Sequence, residues 1–332
     1  QCRSGRRWRA RRRPPGRLSV AVANLRRIIL DCDPGHDDAL AIMLAAGDPR
    51  VDLVGITTVA GNQTVEKTTR NACAVATVAG LTGTPIVRGA SRPLLRPLRV
   101  APEIHGASGL DGPPPVTPTV HPRPGHACDF LVEEVMASPG EVTIVATGPL
   151  TNIALALRRE PAMAGAAREI VIMGGAYGRG NVTPAAEFNI YVDPEAAAVV
   201  FDAPWRVTMM GLDVTHQAGC SEEAQGRVSA IGSPLGVFAG QLLEFFRSTY
   251  RREQRMDDPP VHDACAVAYV ADPELFGTRA AHVVVETCGA HTSGMTVTAF
   301  VDDGEDSRHD VGVSVRRDAL FDTLAAAIAA LG

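Results

Sequence analysis

The chain has 332 residues, 45% of them hydrophobic, which is enough for one large α/β domain with a substantial core. Ten arginines and no acidic residue fall within residues 1–27, so the remainder carries 22 basic and 37 acidic residues, a net charge of −15 (22 minus 37). That charge argues against a nucleic-acid partner, and the lack of any apolar run near the roughly 18 residues of a membrane helix argues against a membrane protein.

Residues 1–26 are rich in arginine and contain a Pro14-Pro15 pair. We interpret them as a disordered tail or an artefactual extension translated from upstream of the true start, with an organelle transit peptide as the alternative. Residues 27–332 are then the folded domain. The seven cysteines are scattered, odd in number and without a C-x-x-C pair, which favours reduced thiols in the cytoplasm.

From Arg27 onward, short apolar runs alternate with longer helical patterns, as in βαβ units around a parallel sheet. The predicted strands are 28–30, 51–59, 142–146, 169–173, 207–210, 283–285, 295–301 and 311–315. The predicted helices are 38–47, 64–81, 150–159, 235–252, 263–270 and 318–331. Residues 89–125, rich in Pro, Gly and Arg, are predicted to be mostly loop. The fold class is therefore α/β, a single domain with an open, mostly parallel sheet and helices on both faces.

The most informative segment is residues 31–38, DCDPGHDD, which places four carboxylates within eight residues. Strand alternation directs Asp31 and Asp33 to one side, and the Pro-Gly turn brings Asp37 and Asp38 back toward them. A helix N-terminus supplies only about half a positive charge, too little for four carboxylates. Oxygen ligands without His or Cys favour Ca²⁺ or Mg²⁺ over zinc. The alternative is that Asp37 caps a helix and the other carboxylates are solvated.

Other polar residues come just after the carboxyl ends of predicted strands. Open α/β sheets bind their ligands outside these strand ends. Asn62 and Thr147 each come just after a predicted strand, and residues 181–189 follow another. We expect them to converge with Asp33. Taken singly, Asn62 and Asn181 are equally well explained as turn residues after glycine, and Asp263 as a helix N-cap.

The chain resembles the inosine-uridine nucleoside hydrolase family in several stretches that occur in the family's order beyond Arg27. These stretches are 31–39 (DCDPGHDDA), 61–64 (GNQT), 104–106 (IHG), 147–154 (TGPLTNIA), 186–190 (AEFNI) and 261–263 (VHD). The resemblance implies a Rossmann-like nucleoside hydrolase fold and a calcium-dependent enzyme that hydrolyses the N-glycosidic bond of ribonucleosides. It also implies a homotetramer or homodimer.

The same resemblance implies the residue roles. Ca²⁺ is held by Asp33, Asp38, Asp263 and the backbone carbonyl of Thr147. The ribose and base are held by Asp37, Asn62, His105, Met173, Asn181, Glu187, Phe188, Asn189 and Tyr250. Asp33 acts as general base on a water that attacks the anomeric carbon, and His262 protonates the leaving base. A site built for ribose hydroxyls predicts a preference for ribonucleosides over deoxyribonucleosides.

One departure concerns the base. Purine-tolerant members of the family carry two tyrosines near the base; here Tyr250 matches one, and Phe246 stands at the other position. Residues 109–112 (GLDG) also look like those of pyrimidine-preferring members. We therefore predict a lean toward uridine and cytidine, with inosine as a possible further substrate.

Two other functions fit part of the pattern. A haloacid-dehalogenase-like phosphatase uses D-x-D after the first strand, but it also needs a lysine for the phosphoryl group, and Lys67 is the only lysine in the chain. A non-catalytic, calcium-dependent nucleoside-binding protein would have the same pocket and no turnover.

Overall fold

The computed structural model describes residues 25–302 and 307–332. The predicted arginine-rich tail lies outside these residues except for Leu25 and Arg26. Within the described residues, nine strands form one sheet: β1 (Arg26–Cys32), β2 (Val51–Thr58), β3 (Ile86–Arg88), β4 (Val142–Ala146), β5 (Glu169–Met173), β6 (Val207–Met210), β7 (Phe276–Val285), β8 (Thr296–Phe300) and β9 (His309–Val315).

The strand order is β3-β2-β1-β4-β5-β6-β9-β7-β8. All neighbouring strands from β3 to β9 are parallel, whereas β7 runs antiparallel to both β8 and β9. The predicted open, mostly parallel sheet is confirmed. Because β1 pairs with β2 on one side and with β4 on the other, the strand order changes direction at β1, where open α/β sheets form their ligand crevice.

Thirteen α-helices occur in the described part of the chain. They are α1 (His36–Gly47), α2 (Val65–Val78), α3 (Pro102–His105), α4 (Ala127–Ala137), α5 (Thr151–Arg159), α6 (Met163–Ala166), α7 (Phe188–Val192), α8 (Pro194–Asp202), α9 (Leu212–Thr215), α10 (Glu222–Ser229), α11 (Pro234–Glu253), α12 (His262–Ala271) and α13 (Arg317–Leu331). None of the helices among these residues is long and apolar enough to cross a membrane.

Both faces of the sheet are buried under helices. Ile28 and Leu30 of β1 belong to the core on the side of α1, α11, α12 and α13, whereas Ile29 belongs to the core on the side of α4, α5 and α8. A strand that is covered on both faces has apolar side chains on both sides, which explains the unbroken apolar run 28–30 in the middle of β1. The predicted helices on both faces are thus confirmed.

The predicted strands 142–146, 169–173 and 207–210 coincide with β4, β5 and β6. Helix α1 starts at His36, two residues before the predicted start, so Asp37 and Asp38 lie inside its first turn. The region predicted as loop contains the short helix α3, and β3 precedes it without having been predicted. Strand β7 begins at Phe276, well before the predicted start, because its exposed positions interrupt the apolar pattern.

Candidate active site

Four buried carboxylates meet at the carboxyl end of the sheet. Asp33 follows β1, Asp37 and Asp38 lie in the first turn of α1, and Asp263 lies in the first turn of α12. Each is at most 5% exposed. Single carboxylate oxygens of Asp37, Asp38 and Asp263 lie within 4.8 Å of one another, close enough to hold a metal ion. The two helix N-termini add partial positive charge, which does not balance four negative ones.

The electrostatics of this cluster are unfavourable without a cation. Burial, together with the charge of Asp38, raises the pKa of Asp33 well above its ordinary value and that of Asp37 to about 8. Burial and the neighbouring charge of Asp37 raise the pKa of Asp263 in the same way. These groups retain protons near neutral pH unless a cation takes the protons' place.

Asp33 is held rigidly by the loop after β2. The backbone N–H of Asn62 donates to Asp33 Oδ2 at 2.6 Å, and the side-chain amide of Asn62 donates to the Asp33 carbonyl at 3.2 Å. A Cβ at Gly61 would collide with this carboxylate, so glycine is required by the close approach. Asp33 Oδ1 is buried and has no hydrogen-bond partner among the described residues. A buried, unpartnered oxygen of this kind needs an explanation, and a bound ion is one.

Asp38 is fixed by three donors. They are the backbone N–H of Gly35 at 2.9 Å, the Thr147 hydroxyl at 2.8 Å and the Asn62 side-chain amide at 3.2 Å. Thr147 follows β4, and its backbone N–H donates to the carbonyl of Asp31 at 2.8 Å. This hydrogen bond joins the ends of the neighbouring strands β1 and β4 directly behind the carboxylates.

A cavity of about 260 Å³ opens above this acidic floor. Twelve of the fourteen predicted site residues line it: Asp37, Asn62, His105, Thr147, Met173, Asn181, Glu187, Phe188, Asn189, Tyr250, His262 and Asp263. Asp33 and Asp38 lie beneath the lining, fully buried. The structure therefore brings the predicted site residues together, with the carboxylates at the bottom and the histidines on one wall.

One wall is built from residues between β5 and α8. Glu187 caps α7 by accepting from the backbone N–H of Ile190 at 3.1 Å, and it also accepts from Gly175 N–H at 3.0 Å. Asn189 donates through Nδ2 to the carbonyls of Thr147 at 2.9 Å and Met173 at 3.1 Å. A carbonyl has two lone pairs, so the Thr147 oxygen retains one for a further partner. Burial raises the pKa of Glu187 to about 7.

The wall formed by α9, α11 and α12 carries the His262 ring between two hydroxyls. Its Nδ1 lies 2.7 Å from Thr215 Oγ1, and its Nε2 lies 2.9 Å from the Tyr250 hydroxyl. Burial lowers the pKa of His262 well below its ordinary value, and His216 acts in the same direction. His262 is therefore a neutral imidazole at pH 7.

His105, at the end of α3, is held by His36. The backbone N–H of His36 donates to His105 Nδ1 at 3.3 Å, and the two Nδ1 atoms lie 3.2 Å apart. His36 Nε2 lies 2.8 Å from the Asp111 carbonyl, to which it can only donate. The His36 ring stacks on Phe245 and Phe246 at centroid distances of 5.1 and 5.4 Å.

Sequence reasoning missed several residues of the cavity and its supports. The missed lining residues are Arg99, Ala101, Glu103, Ile104, Val182, Glu253 and Gln254. They come from the long loop with its short helix, from the turn before α7 and from the end of α11; of these residues, only Ile104 lies in a family motif, 104–106 (IHG). His36 and Thr215, which hold the two histidines, were also missed as supports, although His36 lies within the segment 31–38; Thr215 lies in none of the family motifs.

The chain is similar to characterised proteins over nearly its whole length. Residues 28–322 match the family described as "Inosine-uridine preferring nucleoside hydrolase". It is 47% identical to the inosine-uridine preferring nucleoside hydrolase of Leishmania major over 83% of this chain and 88% of the relative. It is 47% identical to the pyrimidine-specific ribonucleoside hydrolase RihA of Escherichia coli over 90% and 96% of the two chains. The solved structure of a purine-preferring ribonucleoside hydrolase from Gardnerella vaginalis superposes with a TM-score of 0.86 at 31% identity, covering 92% of this chain and 98% of that one.

Proposed function

This chain belongs to the inosine-uridine preferring nucleoside hydrolase family and is an N-glycosidase that hydrolyses ribonucleosides, and we propose that it works with one calcium ion at the acidic floor of its cavity. The phosphatase alternative is not retained, because the Lys67 ammonium donates to Ala107 O at 2.6 Å and Gln63 Oε1 at 3.2 Å. The non-catalytic binding protein is set aside because the relatives are enzymes.

We infer that Asp33, Asp38, Asp263 and the Thr147 carbonyl hold the ion. The single observation that carries this is the buried Asp33 Oδ1, which has no partner among the described residues and lies within a group of four carboxylates. Hard oxygen donors alone fit Ca²⁺, which accepts six to eight of them. Asp37 lies close enough to be a ligand as well; we assign it to the sugar, as the family resemblance implies. A bound Ca²⁺ supplies the positive charge that neutralises these carboxylates and makes a nearby water more acidic.

The protein groups around the ribose have two tasks in this proposal. Asp33, rigidly oriented by Asn62, accepts a proton from the water that attacks the anomeric carbon. Glu187, Asn189 and Asp37 then lie beside a sugar that becomes positively charged, and their oxygens stabilise that charge. Because the same polar groups are buried, a sugar lacking a hydroxyl leaves one of them unpaired.

The leaving base needs a proton or a hydrogen-bond donor, which His262, Tyr250 and His105 supply from the cavity lining. Phe246 is 1% exposed and packs against Tyr250 with a centroid distance of 4.6 Å, so it brings no hydroxyl to the base. The two relatives named above are equally identical to this chain and differ in stated preference. We therefore base the proposed lean toward uridine and cytidine on Phe246 and on the loop 109–112.

We also propose that the enzyme is a homo-oligomer, a dimer or tetramer, and that it acts in the cytoplasm. The six cysteines of the described residues are all unpaired, five of them buried. That state is typical of a reducing compartment.

The decisive experiment measures base release from uridine, cytidine, inosine and adenosine, with Ca²⁺ present or removed by a chelator. We expect turnover of uridine and cytidine to be fastest, chelation to abolish it, and re-addition of Ca²⁺ to restore it. Asp33→Asn should lower kcat by about 10³-fold or more, because a general base contributes about 10² to 10⁴. Full activity after chelation, or in Asp33→Asn, would contradict the proposal. An exposed-site variant, Glu133→Gln, serves as the control.

A further inference from the structure

We propose that Thr215 is a positioning residue for leaving-group protonation: its hydroxyl donates to His262 Nδ1 and thereby keeps the ring proton on Nε2, the nitrogen that faces Tyr250 and the cavity. This inference rests on the proposed role of His262 at the leaving base. It concerns a residue outside the family motifs quoted above.

The first support is the position of Thr215. It is the last residue of the short helix α9, which begins two residues after β6 ends, and it is fully buried. Threonine in a helix usually bonds back to the carbonyl one turn earlier. Here the Gly211 carbonyl accepts the Thr215 backbone N–H at 3.0 Å, and the side chain instead reaches His262 Nδ1 at 2.7 Å.

The second support is an account of donors and acceptors. Among the described residues, the Thr215 hydroxyl has His262 Nδ1 as its one hydrogen-bond partner. A buried hydroxyl proton without an acceptor is costly, so the hydroxyl donates and Nδ1 accepts through its lone pair. A neutral imidazole that accepts at Nδ1 carries its proton on Nε2.

The third support is what lies beyond Nε2. The Tyr250 hydroxyl is 2.9 Å from it, and both side chains line the cavity. With the proton on Nε2, His262 donates to the Tyr250 oxygen, and the proton of Tyr250 is free to point at the leaving base. Protonation of the base then moves the proton of Tyr250 to the base, and the Nε2–H of His262, which stays on the ring, stabilises the resulting Tyr250 phenolate by donating to it, while Nδ1 stays the acceptor of Thr215.

The opposite tautomer reverses this chain of donors. With the proton on Nδ1, the bare Nε2 accepts the proton of Tyr250, and nothing on this wall is presented to the base. Turning the ring over does not correct this, since it exchanges Nδ1 with Cδ2 and Nε2 with Cε1 and so breaks the hydrogen bonds to both Thr215 and Tyr250. The Thr215 hydroxyl therefore favours the Nε2–H tautomer of His262, in which Tyr250 can donate to the leaving base, over the Nδ1–H tautomer, in which it cannot.

The test compares Thr215→Val, which removes the hydroxyl at nearly constant volume, with Thr215→Ser, which keeps it. Two substrates are used: uridine, whose base needs a proton, and 4-nitrophenyl β-D-ribofuranoside, whose phenolate leaves without one. We expect Thr215→Val to lower kcat on uridine by about 10- to 100-fold, part of a general acid's usual contribution. KM and the rate on the nitrophenyl riboside should stay within about threefold, since an interaction made only in the transition state lowers kcat without KM. Thr215→Ser should keep the wild-type rate on uridine within about the same margin.

Thr143→Val is the matched control, because the Thr143 hydroxyl on β4 is also buried but has no hydrogen-bond partner among the described residues. It should change neither rate. Equal losses on both substrates in Thr215→Val would show a merely structural role and overturn the proposal, as would no loss on uridine. If Thr215→Val fails to fold, the ¹⁵N resonances of the His262 ring in the wild type decide: a proton on Nε2 supports the inference and a proton on Nδ1 overturns it.

His262→Gln separates this inference from the function on which it rests. Wild-type turnover of uridine by His262→Gln would refute the leaving-group role of His262 itself. A loss in His262→Gln on uridine but not on the nitrophenyl riboside, without a matching loss in Thr215→Val, would refute the role of Thr215 alone.

Discussion

Removal of the divalent ion should lower the thermal stability of the enzyme, and the loss should grow as pH rises. Burial raises the pKa of Asp33 and Asp263 well above normal and that of Asp37 to about 8. A carboxyl group whose pKa is higher in the folded than in the unfolded state stabilises the fold while it is protonated. That contribution is complete below the unfolded value of 3.8 and is lost as pH rises toward 8. A bound cation removes the loss by stabilising the ionised form.

The size of the effect follows from mass action. Ca²⁺ at 100 times its dissociation constant adds about 2.7 kcal/mol to the free energy of unfolding. The described chain has 304 residues (278 in 25–302 plus 26 in 307–332). At about 2.1 cal/mol/K per residue, the entropy of unfolding is about 0.64 kcal/mol/K. The expected difference in Tm at pH 8 is therefore about 4 °C. At pH 5.5 protons compete for the same oxygens, and we expect less than about 1 °C.

The assay is thermal unfolding of wild type, Asp38→Asn and Glu133→Gln at pH 5.5 and pH 8, each with Ca²⁺ and with a chelator. Asp38→Asn should lose the calcium effect, because it removes a proposed ligand and an oxygen of the buried cluster. Glu133→Gln, at a side chain that is 63% exposed, should keep it. The reasoning is refuted by an equal calcium effect at both pH values, by none at pH 8, or by a full effect in Asp38→Asn.

Three further outcomes are expected. Glu187→Gln should gain stability relative to wild type as pH rises from 5 to 8 in urea unfolding, by up to about 3 kcal/mol, because burial raises the pKa of Glu187 to about 7; a constant difference would contradict this. 2′-Deoxyuridine should show kcat/KM about 10³-fold or more below uridine, and comparable rates would rule out buried hydroxyl recognition. His36→Phe keeps an aromatic ring and the backbone N–H that donates to His105 Nδ1, but loses the Nε2–H that donates to the Asp111 carbonyl; kcat/KM on uridine should fall about tenfold, and an unchanged value would exclude the His36 side chain as a support of His105.

The central part of the fold could be predicted because its pattern is local. The strands of the sheet centre are buried on both faces, and a short unbroken apolar run is the consequence. The outer elements carry no such signal. Strand β3 has only three residues, and β7 alternates buried and exposed positions around Arg279 and His282. The pairing of β7 with β9 is set by contacts between residues far apart in the chain, which sequence spacing does not reveal.

The candidate site was predictable where its residues share a short segment or a known motif. The charge density of the DCDPGHDD segment points to three carboxylates of the acidic floor, Asp33, Asp37 and Asp38. Its fourth carboxylate, Asp31, accepts instead from Thr57 and Asn152. The supports of the histidines were not predictable. Thr215 lies 47 residues from His262 and His36 lies 69 residues from His105, and a threonine or histidine taken alone is more often an ordinary core or surface residue.

The division of charge around the cavity gives a physical reason for this arrangement on the proposed mechanism. Cleavage of an N-glycosidic bond pulls the sugar positive and the base negative at the same moment. The cavity lining combines carboxylates with two neutral histidines, His262 and His105. If the histidines were cationic in the free enzyme, they would pair with the carboxylates and weaken their hold on a cation. Burial lowers the pKa of both histidines well below normal and so keeps them as hydrogen-bond donors without charge. In each neutral histidine, the ring nitrogen that carries the proton is then determined by the hydrogen-bond partners of the ring rather than by pH. The orientation imposed by Thr215 and His36 is therefore required for the proposed chemistry.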